Sequence, residues 1–145
     1  MSVQAFRHVG ITVSDMERSV RFYRDYLGLS VSKIFPQCEG EYISSLVGIP
    51  NACIDICLLQ APDGSRLELL QYRSHPADAG SCARADEPGR PHCAFTVANI
   101  QELYDRRAEF DCKFEHAPQP SNDGVLVAYC HDPDGTILEL VQPLT

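Results

Sequence analysis

The sequence predicts an α+β fold built from two similar modules, each with the order strand, helix, strand, strand, strand. Two observations predict it. Residues 62–71 (PDGSRLELLQ) recur as residues 133–142 (PDGTILELVQ), and residues 8–16 (HVGITVSDM) match residues 92–100 (HCAFTVANI). Both matches keep the same order along the chain, so an internal duplication decides the fold.

Composition narrows the class of protein. A chain of 145 residues with 44% hydrophobic content fits one domain, or two small modules that share a core. Its 20 acidic and 12 basic residues give a net charge of −8, which disfavours nucleic acid and anionic membranes and favours a small-molecule substrate. With no bilayer-long apolar run and no signal peptide, we expect a cytoplasmic protein. Seven cysteines without a Cys-x-x-Cys motif predict reduced thiols.

Residues 1–73 are predicted to form the first module. It opens with an alternating strand that contains His8, followed by an amphipathic helix that has Ser14 and Asp15 as N-cap candidates and ends at Gly28. Three further strands complete it, and the segment 37–51 is a longer excursion with room for one helical turn. The predicted strands are residues 5–13, 29–35, 52–60 and 66–72.

Residues 74–90 are predicted to be a linker, because Pro and Gly recur there among small polar residues. Residues 91–145 form the predicted second module, with a helix over residues 99–110. Prolines and the turn at residues 122–124 interrupt its later strands. The predicted strands are residues 92–97, 111–115, 125–131 and 136–142.

Each module has one histidine in its first strand and one glutamate in its last: His8 with Glu68, and His92 with Glu139. Glutamate is uncommon in an apolar strand, and a buried carboxylate must be paired, protonated or bound to a metal. A pseudo-twofold arrangement would bring the four together, and imidazole with carboxylate suits Zn, Ni, Co, Mn or Fe(II) better than Ca. Any one of them alone is more often an ordinary hydrogen-bonded side chain, but their repeat-equivalent places favour the metal site.

Three other histidines have no counterpart in the repeat, and we expect them at the surface or in loops: His75, His116 and His131. Strand alternation places Arg66 on the same face as Glu68 and leaves Leu67 and Leu69 for the face that packs against a helix. Arg66 is therefore a candidate to bind a substrate carboxylate, with plain surface charge as the equal alternative. Tyr129 is a candidate pocket residue, with core packing as the default.

These motifs resemble the vicinal oxygen chelate superfamily, which includes glyoxalase I, methylmalonyl-CoA epimerase, extradiol ring-cleaving dioxygenases and bleomycin resistance proteins. The likeness is carried by residues 8–16, 19–23 (SVRFY), 27–29 (LGL), 67–69 (LEL), 92–97 and 132–140 (DPDGTILEL). It covers nearly the whole chain. It implies two βαβββ modules that curl into an open, cup-shaped mixed β-sheet, a glyoxalase-like fold, with a divalent metal held by the same two histidines and two glutamates.

The resemblance implies a divalent-metal-dependent lyase or isomerase that enolises a small oxo-compound or thioester. A complete His/Glu/His/Glu set is similar to that of the metal isomerases of the superfamily. By similarity to glyoxalase I, Glu139 is the first candidate for the catalytic base and Glu68 the second. Glutathione-binding members carry an arginine soon after the first histidine and an asparagine soon after the first glutamate, and this chain has neither at residues 9–12 and 69–72.

Two alternatives stay open beside this prediction. An Fe(II) extradiol dioxygenase would use His8, His92 and Glu139 as ligands, and oxygen uptake on catechols would identify it. A metal-free ligand- or drug-binding protein of the bleomycin-resistance type would retain a hydrophobic ligand without metal. The resemblance also implies a homodimer that pairs through the edge strands of its modules.

Overall fold

The computed structural model describes residues 2–144, and the chain divides into two compact units, Met1–Asp78 and Ala79–Thr145. The division falls inside the segment 74–90 that the sequence marks as a linker. Among the described residues, the helices are all too short or too polar to span a bilayer. All seven cysteines are free thiols, as the sequence predicts.

The first unit is a four-stranded sheet with its helices between strands. Its elements are β1 (Val9–Thr12), α1 (Met16–Arg21) continued by a π-helical turn (Phe22–Tyr26), β2 (Ser30–Glu39), α2 (Glu41–Val47), β3 (Cys53–Gln60) and β4 (Arg66–Tyr72). The strand order is β1-β4-β3-β2. β1 runs parallel to β4, and the other neighbours are antiparallel.

The second unit repeats this plan. Its elements are β5 (Cys93–Thr96), α3 (Ile100–Arg106) continued by a 3-10 turn (Arg107–Phe110), β6 (Lys113–Phe114), β7 (Gln119–Pro120), β8 (Val125–His131) and β9 (Ile137–Pro143). The strand order is β5-β9-β8-β6, and β7 also pairs with β8. β5 runs parallel to β9, so each unit places its first strand beside its last. The α+β fold predicted from the duplication is confirmed.

Strand alternation builds the core as the sequence predicts. Leu67 and Leu69 are buried in the first unit, and Leu138 and Leu140 in the second. The glutamate between each pair of leucines therefore points to the opposite face of its sheet. Each helix begins as predicted, because the Asp15 carboxylate accepts a hydrogen bond from Arg18 N at 3.0 Å and Asn99 acts in the same way in the second unit.

Two predicted strand boundaries were wrong by four residues, and the others differ by at most two. β1 begins at Val9 rather than at residue 5, so His8 lies immediately before the strand. Within residues 2–144, β1 pairs with β4 alone, and because β4 starts at Arg66, the described residues before His8 have no strand to pair with. β2 continues to Glu39, beyond the predicted end at residue 35, because an irregularity in its pairing lets Gln37 adopt a φ of 51°.

The expectation for His131 was also wrong. This residue ends β8 and is only 2% exposed, with its Nε2 donating to the carbonyl oxygen of Ala83 at 2.8 Å. The burial arises because the middle of the predicted linker folds back over the turn after β8, where Ala83 N donates to Gly135 O at 3.2 Å. Ala83 and His131 are 48 residues apart in sequence, so no local sequence pattern could have predicted this contact.

Candidate metal site

The duplication produces two equivalent pairs of polar side chains. Gly10 is the strand partner of Glu68 between β1 and β4, and Ala94 is the partner of Glu139 between β5 and β9. In both units the histidine lies two residues before that partner. Because side chains two residues apart share a face of a sheet, each histidine lies diagonally across from its glutamate.

The described side chains confirm contact within each pair. His8 Nε2 lies 3.7 Å from Glu68 Oε1, and His92 Nε2 lies 3.1 Å from Glu139 Oε2. All four side chains are between 21% and 40% exposed, so they combine partial burial with access for a small ligand. The two pairs belong to different units, and their convergence on one ion is part of the proposal below.

Equivalent hydrogen bonds in the two units fix the strand and helix that carry each His–Glu pair. The glutamine three residues after each glutamate reaches the start of the helix: Gln71 Oε1 accepts from Met16 N at 2.8 Å, and Gln142 Oε1 accepts from Ile100 N at 2.8 Å. Each bond ties the end of the glutamate strand to the helix that follows the histidine. The sequence analysis missed this role, although the identity of both glutamines in the repeat was a signal for it.

Tyr129 lies at the second pair. It is the strand partner of Glu139 between β8 and β9, and its Oη lies 3.3 Å from His92 Nε2. Partial burial, and then the charge of Glu139, raise the pKa of the Tyr129 phenol, which keeps this hydroxyl protonated and able to donate. The structure therefore brings Tyr129 together with two of the predicted metal ligands.

Arg66 lies at the edge of the first pair. It begins β4, is exposed, and has Gln60 as its strand partner. It shares a face with Glu68 by alternation, as predicted, but among residues 2–144 the two side chains form no ion pair. Arg66 is thus free to turn toward a ligand that approaches this face.

The donor set fits a divalent ion. Two ligands bound at about 2.0–2.2 Å from one ion, at octahedral or tetrahedral angles, lie about 2.8–3.6 Å apart. The His92–Glu139 distance falls in that range, and the His8–Glu68 distance is just above it. Among residues 2–144, no three His, Cys, Asp or Glu side chains form a group that could hold a metal. The structure brings the predicted ligands together only as two His–Glu pairs, one in each unit.

Comparison with known proteins decides the family. Residues 5–140 match the sequence profile of the Glyoxalase/Bleomycin resistance protein/Dioxygenase superfamily. The chain belongs to this superfamily. The resemblance inferred from the sequence motifs is confirmed.

Curated relatives of this glyoxalase-superfamily chain include named enzymes. A probable lactoylglutathione lyase of Synechocystis sp. is 26% identical over 137 residues, which are 93% of this chain and 92% of that protein. A 2-epi-5-epi-valiolone epimerase of Actinomyces sp. is 25% identical over 144 residues, which are 94% of this chain and 78% of that protein.

Solved structures of the superfamily share the fold. A glyoxalase family protein from Bacillus cereus superposes with a TM-score of 0.89 at 22% identity, covering 100% of this chain and 97% of the other. The trypanothione-dependent glyoxalase I of Leishmania major gives a TM-score of 0.67 at 22% identity, covering 97% of this chain and 87% of the other. At these identities the likeness shows the fold alone.

Proposed function

We propose that this chain is a divalent-metal-dependent lyase or isomerase of the glyoxalase/epimerase type, acting on a small oxo-compound or thioester. The observation that carries the proposal is the His–Glu contact found at the same place in both units. Together the pairs offer two imidazole nitrogens and two carboxylates, a donor set that suits Zn, Ni, Co, Mn or Fe(II). Relatives named as a lyase and an epimerase support this class of reaction.

In this proposal His8, Glu68, His92 and Glu139 hold the ion. When bound, the ion supplies Lewis acidity that stabilises negative charge on a substrate carbonyl oxygen while the neighbouring C–H bond is broken. Glu139 takes the proton at a carboxylate oxygen and returns it to the substrate, and Glu68 is the second candidate for this role. Proton transfer by a positioned carboxylate contributes about 10²–10⁴-fold to such a rate.

The surroundings of the two glutamates support Glu139 as the base. Its strand partner is Tyr129, whereas the strand partner of Glu68 is Leu58. The protonated Tyr129 hydroxyl is placed to donate to a substrate oxygen or to Glu139 itself, and an apolar leucine has no such ability. We propose Tyr129 and Arg66 as substrate-binding residues, the first through its hydroxyl and the second through its charge.

Metal content tests the proposal. Plasma mass spectrometry on protein purified without chelator or metal-binding tag should find near-stoichiometric divalent metal in the wild type. His92→Ala and Glu139→Ala should lose it, because each removes one ligand. His116→Ala is the matched control: His116 is exposed, bonds to Ala117 O and the Gln119 side chain, and is not one of the proposed ligands, so this variant should keep its metal.

Other outcomes of this experiment would favour one of the two alternative functions. Wild-type protein that stays empty after reloading with metal would contradict the proposal and favour a metal-free binding protein. Bound iron together with oxygen uptake on catechols would favour the dioxygenase.

We also propose a homodimer in the cytoplasm. β2 is an edge strand, and large apolar side chains on β2 and α2 are exposed, Ile34 at 62%, Leu46 at 66% and Tyr42 at 75%. Exposed edges and apolar patches favour association between chains. The seven free thiols support a reducing compartment. Light scattering should give twice the chain mass of 16.1 kDa, and Ile34→Lys combined with Leu46→Lys should halve it.

A further inference from the structure

The first unit contains a pocket of about 430 Å³ beyond the His8–Glu68 pair. Its walls come from Thr12 at the end of β1, Tyr72 at the end of β4, Ile49 before β3, and His75 and Pro76 after β4. This volume lies within the range of pockets that bind small molecules. All of its lining residues belong to one unit, so the pocket is complete within residues 12–77.

The pocket continues the face on which the metal ligands lie. Glu68 and Tyr72 share a face of β4, because they are four residues apart. At about 3.3 Å per residue, their Cα atoms are about 13 Å apart. Thr12 likewise lies four residues after His8. Its strand partner is Leu70, midway between Glu68 and Tyr72. An extended ligand lying along this face therefore reaches the pocket from the His8–Glu68 pair.

The lining selects against charge. The nine described residues that line the pocket include no Lys, Arg, Asp or Glu. The Gln71 amide at its wall is occupied, since Oε1 accepts from Met16 N and Nε2 donates to Ser14 O at 3.2 Å. Arg18 donates to Ser14 Oγ at 2.9 Å but is not itself among the lining residues. A carboxylate buried here would lose water without gaining a lysine or arginine partner, and the one lining histidine, His75, already contacts Ser74 Oγ through Nδ1 at 2.8 Å, so its burial is unfavourable.

We propose that this pocket binds an uncharged, largely apolar part of the substrate, such as an aromatic ring or alkyl chain that carries at most a hydroxyl group. The aliphatic and aromatic side chains supply the apolar surface, and the hydroxyls of Thr12 and Tyr72 supply hydrogen bonds for one polar substituent. The link to catalysis rests on the proposed function, because it places the reacting end of the same molecule at the metal ligands.

A matched pair of probes tests the proposal on the full chain. 2-Naphthalenemethanol and 2-naphthoate have the same ring system and differ in charge, and binding is followed by amide shifts of ¹⁵N-labelled, metal-free protein. The neutral probe should shift the amides of residues 12–14, 49, 71–75 and 77, and the anion should bind at least about tenfold more weakly. Equal or tighter binding of 2-naphthoate, or shifts confined to other residues, would overturn the proposal.

Variants check that the shifts report this pocket. Tyr72→Ala should weaken binding of the neutral probe about tenfold, because it removes an aromatic wall. Ile49→Arg, a second variant in case the first fails to fold, should reverse the preference toward 2-naphthoate. Phe6→Ala is the matched control: it removes an aromatic side chain that is 84% exposed and does not line the pocket, and it should leave binding unchanged.

Failure of this inference and failure of the proposed function give different results. Loss of the neutral-probe shifts in protein that still takes up metal would overturn the pocket and leave the metal site standing. Probe binding in protein that never takes up metal would overturn the proposed link to catalysis.

Discussion

The two units share one plan, but they differ in what surrounds the glutamate. Both place a histidine before the first strand and a glutamate opposite its second residue, with a glutamine that caps the helix. Across the sheet, however, Glu68 meets Leu58 and Glu139 meets Tyr129. The repeat thus preserves the histidine, the glutamate and the glutamine bond to the helix. The neighbouring strand gives the two carboxylates different surroundings, apolar at Glu68 and polar at Glu139.

The largest effect we expect separates the two glutamates. Glu139→Gln should lower the rate of proton abstraction about 10³-fold, because the amide cannot act as a base, whereas Glu68→Gln should lower it about tenfold. Deuterium exchange at carbon next to the carbonyl, followed by NMR on a panel of oxo-compounds and thioesters, measures the rate. Metal content is the control, since both variants keep an oxygen donor. A greater loss in Glu68→Gln would exchange the two assignments.

The second prediction compares the repeated turns. Gly64 and Gly135 both have positive φ, 90° and 86°, but only a Cβ at Gly135 would meet backbone, 2.6 Å from Ser81 O. Gly64→Ala should cost about 1–2 kcal/mol of unfolding free energy from backbone strain alone. Gly135→Ala should cost about 3 kcal/mol or more, because the segment that covers the turn must also move. Chemical denaturation measures both, and equal losses would show that the covering segment contributes nothing.

This difference also shows where sequence reasoning reaches its limit. The repeat predicted the helix starts at Asp15 and Asn99 and the buried leucine rows, because each depends on a local pattern of residues. That the four His and Glu side chains share one ion stays a prediction. The burial of His131 depends on Ala83, 48 residues away, returning over a turn. The pocket likewise joins Ile49 to His75 through folding. Such contacts follow from strand order and loop path, which local periodicity does not encode.

A third prediction concerns a carboxylate that the second unit lacks. Asp55 pairs with Gln71 across the sheet, and Leu126 has the equivalent place beside Gln142. Burial alone would raise the pKa of Asp55, but hydrogen bonds from Gln37 N at 2.9 Å and from the Arg73 guanidinium outweigh it and lower that pKa. The bond from Gln37 holds the bulged part of β2 against β3, and the bond from Arg73 ties the end of β4 to β3.

Because the pKa of Asp55 is lower in the folded state, its stabilising effect is present above the unfolded value of about 3.9 and is lost as pH falls through the folded value. Asp55→Asn should therefore be less stable than the wild type by a constant amount between about pH 5 and 8, and the difference should shrink in acid. Asp78→Asn, at an exposed aspartate, is the control and should match the wild type throughout. A difference that persists in acid would assign the effect to packing instead of charge.

The smallest effect we expect concerns the residue that faces each glutamate, and it tests whether the His8–Glu68 pair tolerates the alanine found beside the His92–Glu139 pair. Gly10 faces Glu68 where Ala94 faces Glu139, and a Cβ at Gly10 would lie 3.5 Å from Leu70 Cδ1 and 3.9 Å from Glu68 Oε1, both ordinary contacts. Gly10→Ala should therefore leave metal content unchanged and raise the unfolding free energy by about 0.4–1 kcal/mol, because alanine restricts the unfolded chain. Thermal unfolding and metal analysis measure the two quantities. A loss of metal would mean that Glu68 needs the extra space beside a glycine, and that the proposed metal site does not tolerate at Gly10 the alanine that the second unit has at Ala94.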